Sequence, residues 1–251
     1  MKHIFSAGGK AALRKVMARA PLLAFDFDGT LAPLVAHPQD ASMPLGVMRR
    51  ISSLASRLPV AIITGRSVAD VRARLGFEPR YIIGNHGAEG FGGQPLDIYR
   101  QILDAPRTLL SLHQAQLRDH GVQVEDKGLS IALHYRMARD RQQAAEWIAA
   151  LLRRIEAPLM LSFGKCVVNV TPANAPDKGV ALRRLVERES AQAAVFIGDD
   201  VNDESAFATA AQHWLTVRIG AAVPRSAAKF FLDHHAQVAV LLQDMLDMLS
   251  A

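Results

Sequence analysis

Two aspartates stand two positions apart directly after a short apolar run near the N-terminus. Asp26 and Asp28 follow the run Leu22–Phe25 and belong to the sequence Asp-Phe-Asp-Gly-Thr. Side chains two positions apart in an extended strand point the same way, so both carboxylates can reach one point. Two like charges there repel each other unless a cation or a shared proton lies between them, and a hard divalent cation is the natural partner of oxygen ligands. The alternative for this pentad alone is an ordinary Asp-Gly turn after a strand.

A second acidic cluster makes a shared metal site the more economical interpretation. The segment Gly198–Glu204 (Gly-Asp-Asp-Val-Asn-Asp-Glu) follows the apolar run Ala194–Ile197. In open α/β sheets the C-terminal ends of the strands border the ligand crevice. Thr64 follows a third apolar run, Val60–Ile63, and offers a hydroxyl next to a helix N-terminus suited to phosphate. Lys178 opens a fourth element and can neutralise phosphate charge.

The elements that must position these residues alternate between short apolar strands and amphipathic helices. Continuous apolar runs such as Leu22–Phe25 and Val60–Ile63 suit parallel strands that are covered on both faces. Between these two runs, Pro44 opens a helix with apolar residues at helical spacing. This alternation predicts an α/β fold, a Rossmann-like parallel sheet with crossover helices.

The pattern changes between about Gln101 and Pro172. Helices are expected at 109–120 and 139–155, and the segments Val122–Lys127 and Ser130–Arg136 alternate strictly. A further alternating pair is expected to turn at Phe163-Gly164. Strict alternation predicts a sheet with one wet face. That face is either solvated or belongs to a lid over a site in the α/β domain, and the pattern alone leaves both open.

Composition and charge narrow the possible classes of protein. The 251 residues are 50% apolar and 21% charged, which is ordinary for a globular protein with a sizeable core. The net charge is +5, but the cations are scattered rather than grouped in blocks of about five or six, so no nucleic-acid partner is expected. No apolar run approaches the ~18 residues of a membrane span. The single Cys166 favours a reducing compartment, and we expect a cytoplasmic protein without a membrane partner.

Taken together, the four segments resemble the haloacid-dehalogenase-like phosphatase superfamily. In that superfamily the position of Asp26 is the nucleophile and that of Asp28 is the general acid and base, while the positions of Thr64 and Lys178 hold the phosphoryl group. The resemblance implies a core at 1–104 and 173–251 and an inserted, smaller α+β cap domain at 105–172. It also implies a Mg²⁺ ion, whose ligands and close neighbours would be Asp26, Asp28 through its backbone carbonyl, Asp199 and Asp203.

Further segments narrow the resemblance to the trehalose-6-phosphate phosphatases. The similar segments are Gly84–Glu89, Glu125-Asp126-Lys127, Ser130, His134-Tyr135-Arg136 and Gly164-Lys165. The resemblance implies substrate contacts at Arg66, Asn85, His86, Glu125, Lys127, Arg136, Lys165 and Asn169. At two positions this chain departs from the family, which usually has Glu in place of Asn169 and Thr in place of Asn202. An amide at residue 169 still bonds a sugar hydroxyl but loses the charge-assisted hydrogen bond.

The implied reaction is Mg²⁺-dependent hydrolysis of trehalose 6-phosphate through an aspartyl-phosphate intermediate, in trehalose biosynthesis. One alternative is a phosphatase or mutase that acts on another sugar phosphate. Another is a basic binding protein that has kept the fold and lost the activity, against which the intact Asp26, Asp28, Thr64, Lys178 and Asp199 argue. The expected partner is a small sugar phosphate, and we expect a monomer that works alongside a trehalose-phosphate synthase.

Overall fold

A computed structural model describes residues 1–35, 37–93 and 95–250. The chain divides into two compact units, the first formed by Met1–Gly90 and Pro176–Ala251 and the second by Phe91–Ala175. The boundary expected after residue 104 lies inside the second of these units. The reason is packing, because Leu103 is fully buried in the hydrophobic core of the second unit. The assignment of residues 105–172 as a cap domain stays a prediction.

The strands are, in chain order, β1 (Lys2–His3), β2 (Leu22–Phe25), β3 (Val60–Ile63), β4 (Tyr81–Ile83), β5 (Gln123–Asp126), β6 (Ile131–His134), β7 (Leu159–Gly164), β8 (Val167–Pro172), β9 (Ala194–Gly198), β10 (Leu215–Ile219) and β11 (Phe230–Leu232). The α-helices are α1 (Ala7–Met17), α2 (Leu45–Ala55), α3 (Val68–Leu75), α4 (Leu96–Ile102), α5 (Asp104–Leu112), α6 (Gln114–Asp119), α7 (Arg141–Leu152), α8 (Lys178–Glu189), α9 (Glu204–Thr209) and α10 (Val238–Ser250). Short 3₁₀ turns lie at Pro38–Asp40, Asn85–Gly87, Val201–Asp203 and His235–Gln237.

The first unit is built on a parallel sheet of seven strands in the order β1-β11-β10-β9-β2-β3-β4. The central strands β2, β3 and β9 are buried along their whole length, as their continuous apolar runs predict. Phe25 pairs with Ile62 on one side and with Ile197 on the other, so these three strands end level with one another. The residues that follow them therefore emerge together at the carboxyl edge of the sheet.

The second unit contains an antiparallel sheet in the order β5-β6-β8-β7. Leu133 and Val168 lie in its hydrophobic core with Ile148 of α7. On the next row of the sheet, Glu125 pairs with Ala132, which pairs in turn with Asn169. The expected fold class, a Rossmann-like parallel sheet with an inserted smaller α+β unit, is confirmed. Among the described residues, no helix has the length and apolar character needed to cross a membrane.

Two local expectations for this unit are wrong. The helix expected at 109–120 is divided into α5 and α6, because His113 leaves the helical region with φ −112° and ψ 22°. The hairpin expected to turn at Phe163-Gly164 turns one residue pair later. Gly164 still pairs with Val167, so the turn residues are Lys165 and Cys166, and Cys166 takes a left-handed conformation with φ 63°.

Candidate active site

Three buried carboxylates meet at the carboxyl edge of the parallel sheet. Asp26 follows β2, Asp199 follows β9, and Asp203 ends the 3₁₀ turn after β9. Each offers an oxygen, and the three oxygens lie within 4.8 Å of one another. The structure thus brings together the two acidic clusters that the sequence places at separate strand ends.

Tight backbone contacts hold this arrangement. The Asp203 carboxylate accepts hydrogen bonds from the backbone N–H groups of Asp199 (2.8 Å) and Asp200 (3.0 Å), which fixes the loop after β9. On the other side, Gly29 has φ +80°, and a Cβ at this position would lie 2.2 Å from Oδ2 of Asp199. The loop after β2 can therefore approach the Asp199 carboxylate because residue 29 is glycine.

Lys178, the first residue of α8, lies between two of these carboxylates. Its Nζ is 2.8 Å from Oδ1 of Asp26 and 2.7 Å from Oδ1 of Asp203, and the side chain is 3% exposed. Burial alone lowers the pKa of the Lys178 ammonium, but the charges of Asp203 and Asp26 and the hydrogen bonds to them raise it above its ordinary value. Burial raises the pKa of the Asp26 carboxyl well above its usual value; Lys178 lowers it, and Asp203 and Asp199 raise it again.

The donor set fits a divalent cation. Three clustered carboxylates face one ammonium, so the ionised cluster carries an excess of negative charge that a hard cation with oxygen ligands would neutralise. Asp26, Asp199 and Asp203 are the carboxylates that would surround it, and the backbone carbonyl of Asp28 is the further ligand that the family resemblance implies. The chain therefore has a candidate divalent-metal site.

Asp28 lies apart from this cluster and is held by Arg66. The guanidinium donates from Nε to Oδ2 and from Nη2 to Oδ1 of Asp28, both at 2.7 Å. Its Nη1 donates to Asp70 and its Nη2 also donates to the carbonyl of Pro38, both at 2.6 Å. The Arg66 side chain is only 5% exposed, and all four of these hydrogen bonds are made to other groups of the protein. In the structure the partner of Arg66 is Asp28. The role of Arg66 as a substrate contact stays a prediction.

Thr64 is fully buried directly after β3, where its hydroxyl accepts a hydrogen bond from the backbone N–H of Arg66 at 3.2 Å. The loop that follows β4 wraps around this segment. The backbone N–H of Asn85 donates to the carbonyl of Arg66 (2.7 Å), and that of His86 donates to the carbonyl of Thr64 (2.9 Å). The His86 ring covers Gly65, where a Cβ would lie 2.4 Å from its Cε1.

Two consecutive residues of that loop are left-handed, with φ 48° at Asn85 and φ 60° at His86. Such conformations are costly for residues with a side chain and persist where the surroundings impose them. Here Glu89 helps to hold Asn85 in place, because its Oε2 accepts hydrogen bonds from the Asn85 side-chain amide (2.8 Å) and from the backbone N–H of Val68 (2.9 Å). The predicted substrate roles of Asn85 and His86 stay predictions.

The remaining predicted site residues lie in the second unit. Glu125 is half-buried, and its Oε2 lies 2.8 Å from Nε2 of His134 and 3.7 Å from Nζ of Lys127. Asn169 is buried in the same row of the sheet, beyond the small side chain of Ala132. The other two predicted sugar contacts are half-buried Arg136 and exposed Lys165.

Sequence reasoning did not select Asp70 and Arg74, which extend the contacts of Arg66. Asp70 accepts from Arg66 through Oδ2, and its Oδ1 accepts from Nε (3.0 Å) and Nη2 (2.8 Å) of Arg74. A signal for this existed, because residues 66, 70 and 74 are spaced by four and carry alternating charges, which predicts neighbours along a helix.

A family model for trehalose-phosphatase matches residues 24–236. A trehalose-phosphate phosphatase of Mycobacterium tuberculosis is 31% identical over 240 residues, which cover 89% of this chain and 61% of that protein. An uncharacterised glycosyl hydrolase of the same organism is 34% identical over 208 residues, or 77% of this chain and 16% of the hydrolase. The C-terminal domain of the trehalose-6-phosphate phosphatase of C. albicans has a TM-score of 0.83 at 21% identity, covering 94% of this chain and 96% of that domain, and supports the fold.

The chain thus spans 61% of the length of the trehalose-phosphate phosphatase and 16% of the length of the glycosyl hydrolase. The match to the family model nevertheless begins inside β2 and ends beyond β11, and it includes both acidic clusters, Thr64 and Lys178. The chain belongs to the trehalose-phosphatase family.

Proposed function

We propose that the chain is a Mg²⁺-dependent phosphatase that hydrolyses trehalose 6-phosphate to trehalose and phosphate through an aspartyl-phosphate intermediate. The observation that carries the proposal is the buried contact of Lys178 with Asp26 and Asp203, beside Asp199, in a chain of this family. We also propose that the enzyme is cytoplasmic and monomeric and that a trehalose-phosphate synthase supplies its substrate.

In the first step an oxygen of the Asp26 carboxylate attacks the phosphorus while the bond from phosphorus to the sugar oxygen breaks. Asp28 donates a proton to that oxygen, so the sugar leaves as an alcohol. In the second step Asp28 takes a proton from water, the water oxygen attacks the phosphorus, and the bond to Asp26 breaks. Covalent catalysis of this kind divides one difficult displacement into two easier ones.

Charge on the transferring phosphoryl group needs fixed positive partners. Lys178 supplies one at a buried position that its carboxylate neighbours hold in place, and the hydroxyl of Thr64 supplies a hydrogen bond. Mg²⁺, when bound, would supply further positive charge to neutralise the phosphoryl group. Asp26, Asp199 and Asp203 would hold it together with the backbone carbonyl of Asp28.

We propose that the sugar is bound by the polar residues of the second unit. Glu125 and Asn169 belong to one row of its sheet, and Lys127 lies beside Glu125. Charged and amide side chains of this kind suit sugar hydroxyls. The full set proposed is Glu125, Lys127, Arg136, Lys165 and Asn169, with Asn85 and His86 of the first unit. Asn169, which stands where the family usually has Glu, is the observation that favours a different sugar phosphate as the second candidate substrate.

The deciding experiment is phosphate release from a panel of sugar phosphates with Mg²⁺ and with a chelator, with the Asp26→Asn variant as the matched control. We expect trehalose 6-phosphate to be hydrolysed fastest, the chelator to stop the reaction, and the variant to retain less than about 1% of the rate because an amide is not a nucleophile. A faster reaction with another sugar phosphate would transfer the proposal to that substrate, and activity of Asp26→Asn would refute the covalent intermediate.

The proposed sugar contacts have a separate test. Lys165→Ala and Glu125→Ala should lose about 10- to 150-fold in kcat/KM on trehalose 6-phosphate, because each removes a charged hydrogen bond. On p-nitrophenyl phosphate, which has no sugar, the same variants should change by less than about threefold. Equal losses on both substrates would show damage to folding, and no loss on either would show that these side chains are only solvated.

A further inference from the structure

The pairing of Asp28 with Arg66 is bidentate, and this matters for a carboxyl group that must transfer protons. Two parallel N–H···O bonds of 2.7 Å fix the plane of the Asp28 carboxylate as well as its position. The Asp28 side chain is 35% exposed while that of Arg66 is 5% exposed, so the anchor is buried and the carboxyl group remains accessible. A lysine at residue 66 would keep the charge but lose the fork that sets this plane.

Arg66 is itself anchored at two places in the first unit. Its Nη1 donates to Oδ2 of Asp70 on α3, and its Nη2 donates to the carbonyl of Pro38. Asp70 is fixed in turn by Arg74, which donates to its Oδ1 through two nitrogen atoms. Arg74 also donates to the carbonyls of Gln39 (2.7 Å) and Ala41 (3.3 Å). The chain of ion pairs therefore runs from Asp28 to α3 and returns to the segment that follows the Asp28 loop.

We propose that Arg66, Asp70 and Arg74 form a positioning relay that orients the Asp28 carboxyl group for proton transfer to and from the sugar oxygen and water. The inference rests on the proposed function, in which Asp28 is the general acid and base. A proton donor must lie within hydrogen-bond reach of the leaving oxygen, and small displacements of such a group reduce the rate strongly. In this role the three relay residues act through Asp28, and for Arg66 it is the alternative to the predicted contact with substrate.

A purely structural alternative uses the same contacts. In it, the ion pairs fasten residues 38–41 to α3, and Asp28 is merely one more acceptor. The two roles differ in their dependence on the leaving group. A sugar leaves as an alkoxide unless it is protonated, whereas p-nitrophenolate leaves readily without a proton. The second step is common to both substrates, so the comparison uses kcat/KM, which reports the first step. A fault in the general acid lowers kcat/KM far more for sugar phosphates than for p-nitrophenyl phosphate, while a fault in folding lowers it for both alike.

The test compares Arg66→Lys, Asp70→Asn and Arg74→Gln with Arg72→Gln as the matched control. Arg72 lies on the same helix but pairs with Glu78 on the exposed surface. The first substrate is the sugar phosphate that the wild type hydrolyses. On it, we expect kcat to fall about 10- to 100-fold for Arg66→Lys and about 3- to 10-fold for Asp70→Asn and Arg74→Gln. The KM of each variant should change by less than about twofold. On p-nitrophenyl phosphate, kcat/KM should change by less than about threefold, and Arg72→Gln should match the wild type on both substrates.

A double-mutant cycle then asks whether Arg66 acts through Asp28. In an Asp28→Asn background, measured under single-turnover conditions, Arg66→Lys should have no further effect on the sugar phosphate. If the losses of rate in the cycle are additive, or if kcat/KM falls equally on both substrates, the relay is overturned and Arg66 has a structural role. A raised KM with unchanged kcat would instead make Arg66 a substrate contact and also overturn it. If Arg66→Lys does not fold, Asp70→Asn takes its place in the cycle.

Failure of the relay can be distinguished from failure of the proposed function. A wild-type enzyme that hydrolyses a sugar phosphate but shows an additive cycle would refute the relay alone. A wild-type enzyme that releases no phosphate from any ester would refute the proposed function, and the relay with it.

Discussion

The ammonium of Lys178 lies 2.8 Å from Oδ1 of Asp26, although the two residues are separated by 152 positions in the sequence. Both side chains are almost completely buried, at 3% and 7% exposure. A buried charge of this kind is stable only while its partner is present. The contact thus makes Asp26, the proposed nucleophile, depend on a residue that follows the inserted unit in the sequence.

Lys178→Met should abolish turnover and lower stability, because it leaves Asp26 and Asp203 buried without their ammonium. Breaking a buried ion pair costs about 3–5 kcal/mol. Mg²⁺ should restore part of the lost stability by taking over the role of the counter-ion, so the rise in Tm on adding Mg²⁺ should be larger than for the wild type. Thermal unfolding with Mg²⁺ and with a chelator measures both effects. Lys10→Met, on the exposed side of α1, is the control, and a Tm that Mg²⁺ leaves unchanged would contradict the prediction.

Asp199→Asn should raise the Mg²⁺ concentration required for half-maximal activity by about tenfold or more, because it removes a charged oxygen ligand. The measurement is a Mg²⁺ titration of phosphate release. Asp200→Asn is the matched neighbour, since Asp200 caps the 3₁₀ turn and asparagine caps as well as aspartate. Superimposable titrations of Asp199→Asn and the wild type would show that Asp199 does not bind the ion.

Gly29→Ala should disable the site through a collision. The new Cβ would lie 2.2 Å from Oδ2 of Asp199, so the Asp199 carboxylate or one of the two loops must move and the carboxylate cluster is disturbed. Gly93→Ala isolates the cost of the backbone, because Gly93 has a similar φ of +77° and open space around its Cβ position. We expect about 1 kcal/mol of destabilisation for Gly93→Ala with normal activity. Gly29→Ala should lose more stability and at least about 100-fold in activity, and equal behaviour of the two variants would refute the steric argument.

Ser190→Gly should stabilise the protein by about 0.5–1 kcal/mol. Ser190 ends α8 in the left-handed conformation with φ 51°, which glycine adopts without strain. The same change at Ser56, which ends α2 with φ −75°, should destabilise, because glycine adds freedom to the unfolded chain and the hydrogen bond from Ser56 Oγ to the carbonyl of Ser53 (2.9 Å) is lost. Urea unfolding of the two variants gives the signs directly. A destabilised Ser190→Gly would mean that the conformation carries no strain.

The acid stability of the second unit should depend on Asp126. The hydrogen bond from Arg107 (2.7 Å) holds the pKa of the Asp126 carboxyl below its usual value; burial opposes this, and the N–H of Gly128 adds to the lowering. A depressed pKa in the folded state adds stability above the unfolded value of about 3.9, and this stability is lost as the pH falls through the folded value. Because the pair is partly exposed, we expect a contribution of about 1 kcal/mol or less.

Asp126→Asn should therefore be less stable than the wild type at pH 7. Between pH 7 and pH 3, its free energy of unfolding should fall less than that of the wild type. Urea unfolding at the two pH values measures the difference, with Asp119→Asn on the exposed side of α6 as the control. Parallel pH profiles for Asp126→Asn and the wild type would contradict the assignment.

The sequence predicts the carboxylate cluster of Asp26 and Asp199 for a simple reason. Asp26 and Asp199 each follow a continuous apolar run, and parallel strands end at a common edge, so local pattern and sheet geometry suffice. The partner of Asp28 was beyond such reasoning. Which cation faces Asp28 depends on the path of the backbone after β3, and no local pattern in the sequence pairs Arg66 with it; the substrate contact expected of Arg66 stays a prediction.

The same limit explains the misplaced turn. Glycine at residue 164 is the stronger local signal for a turn, yet strand pairing continues through Gly164 and forces Cys166 into a left-handed conformation. Likewise, the apolar spacing across residues 109–120 suits one helix, while His113 departs from helical geometry. At the hairpin, strand pairing outweighs the local preference for a turn at glycine, and the dihedral angles of His113 are not encoded in the apolar spacing.

The order of strands in the large sheet also has a consequence for how the protein is made. β2, in the interior of the sheet, has β9 as one neighbour, and the whole second unit lies between them in the sequence. A growing chain on the ribosome therefore exposes one edge of β2 until β9 has been synthesised, whereas the second unit is continuous and already has its own core. Long-range pairing of this kind slows folding. The nascent first unit is thus the part of the molecule most dependent on protection from aggregation before translation ends.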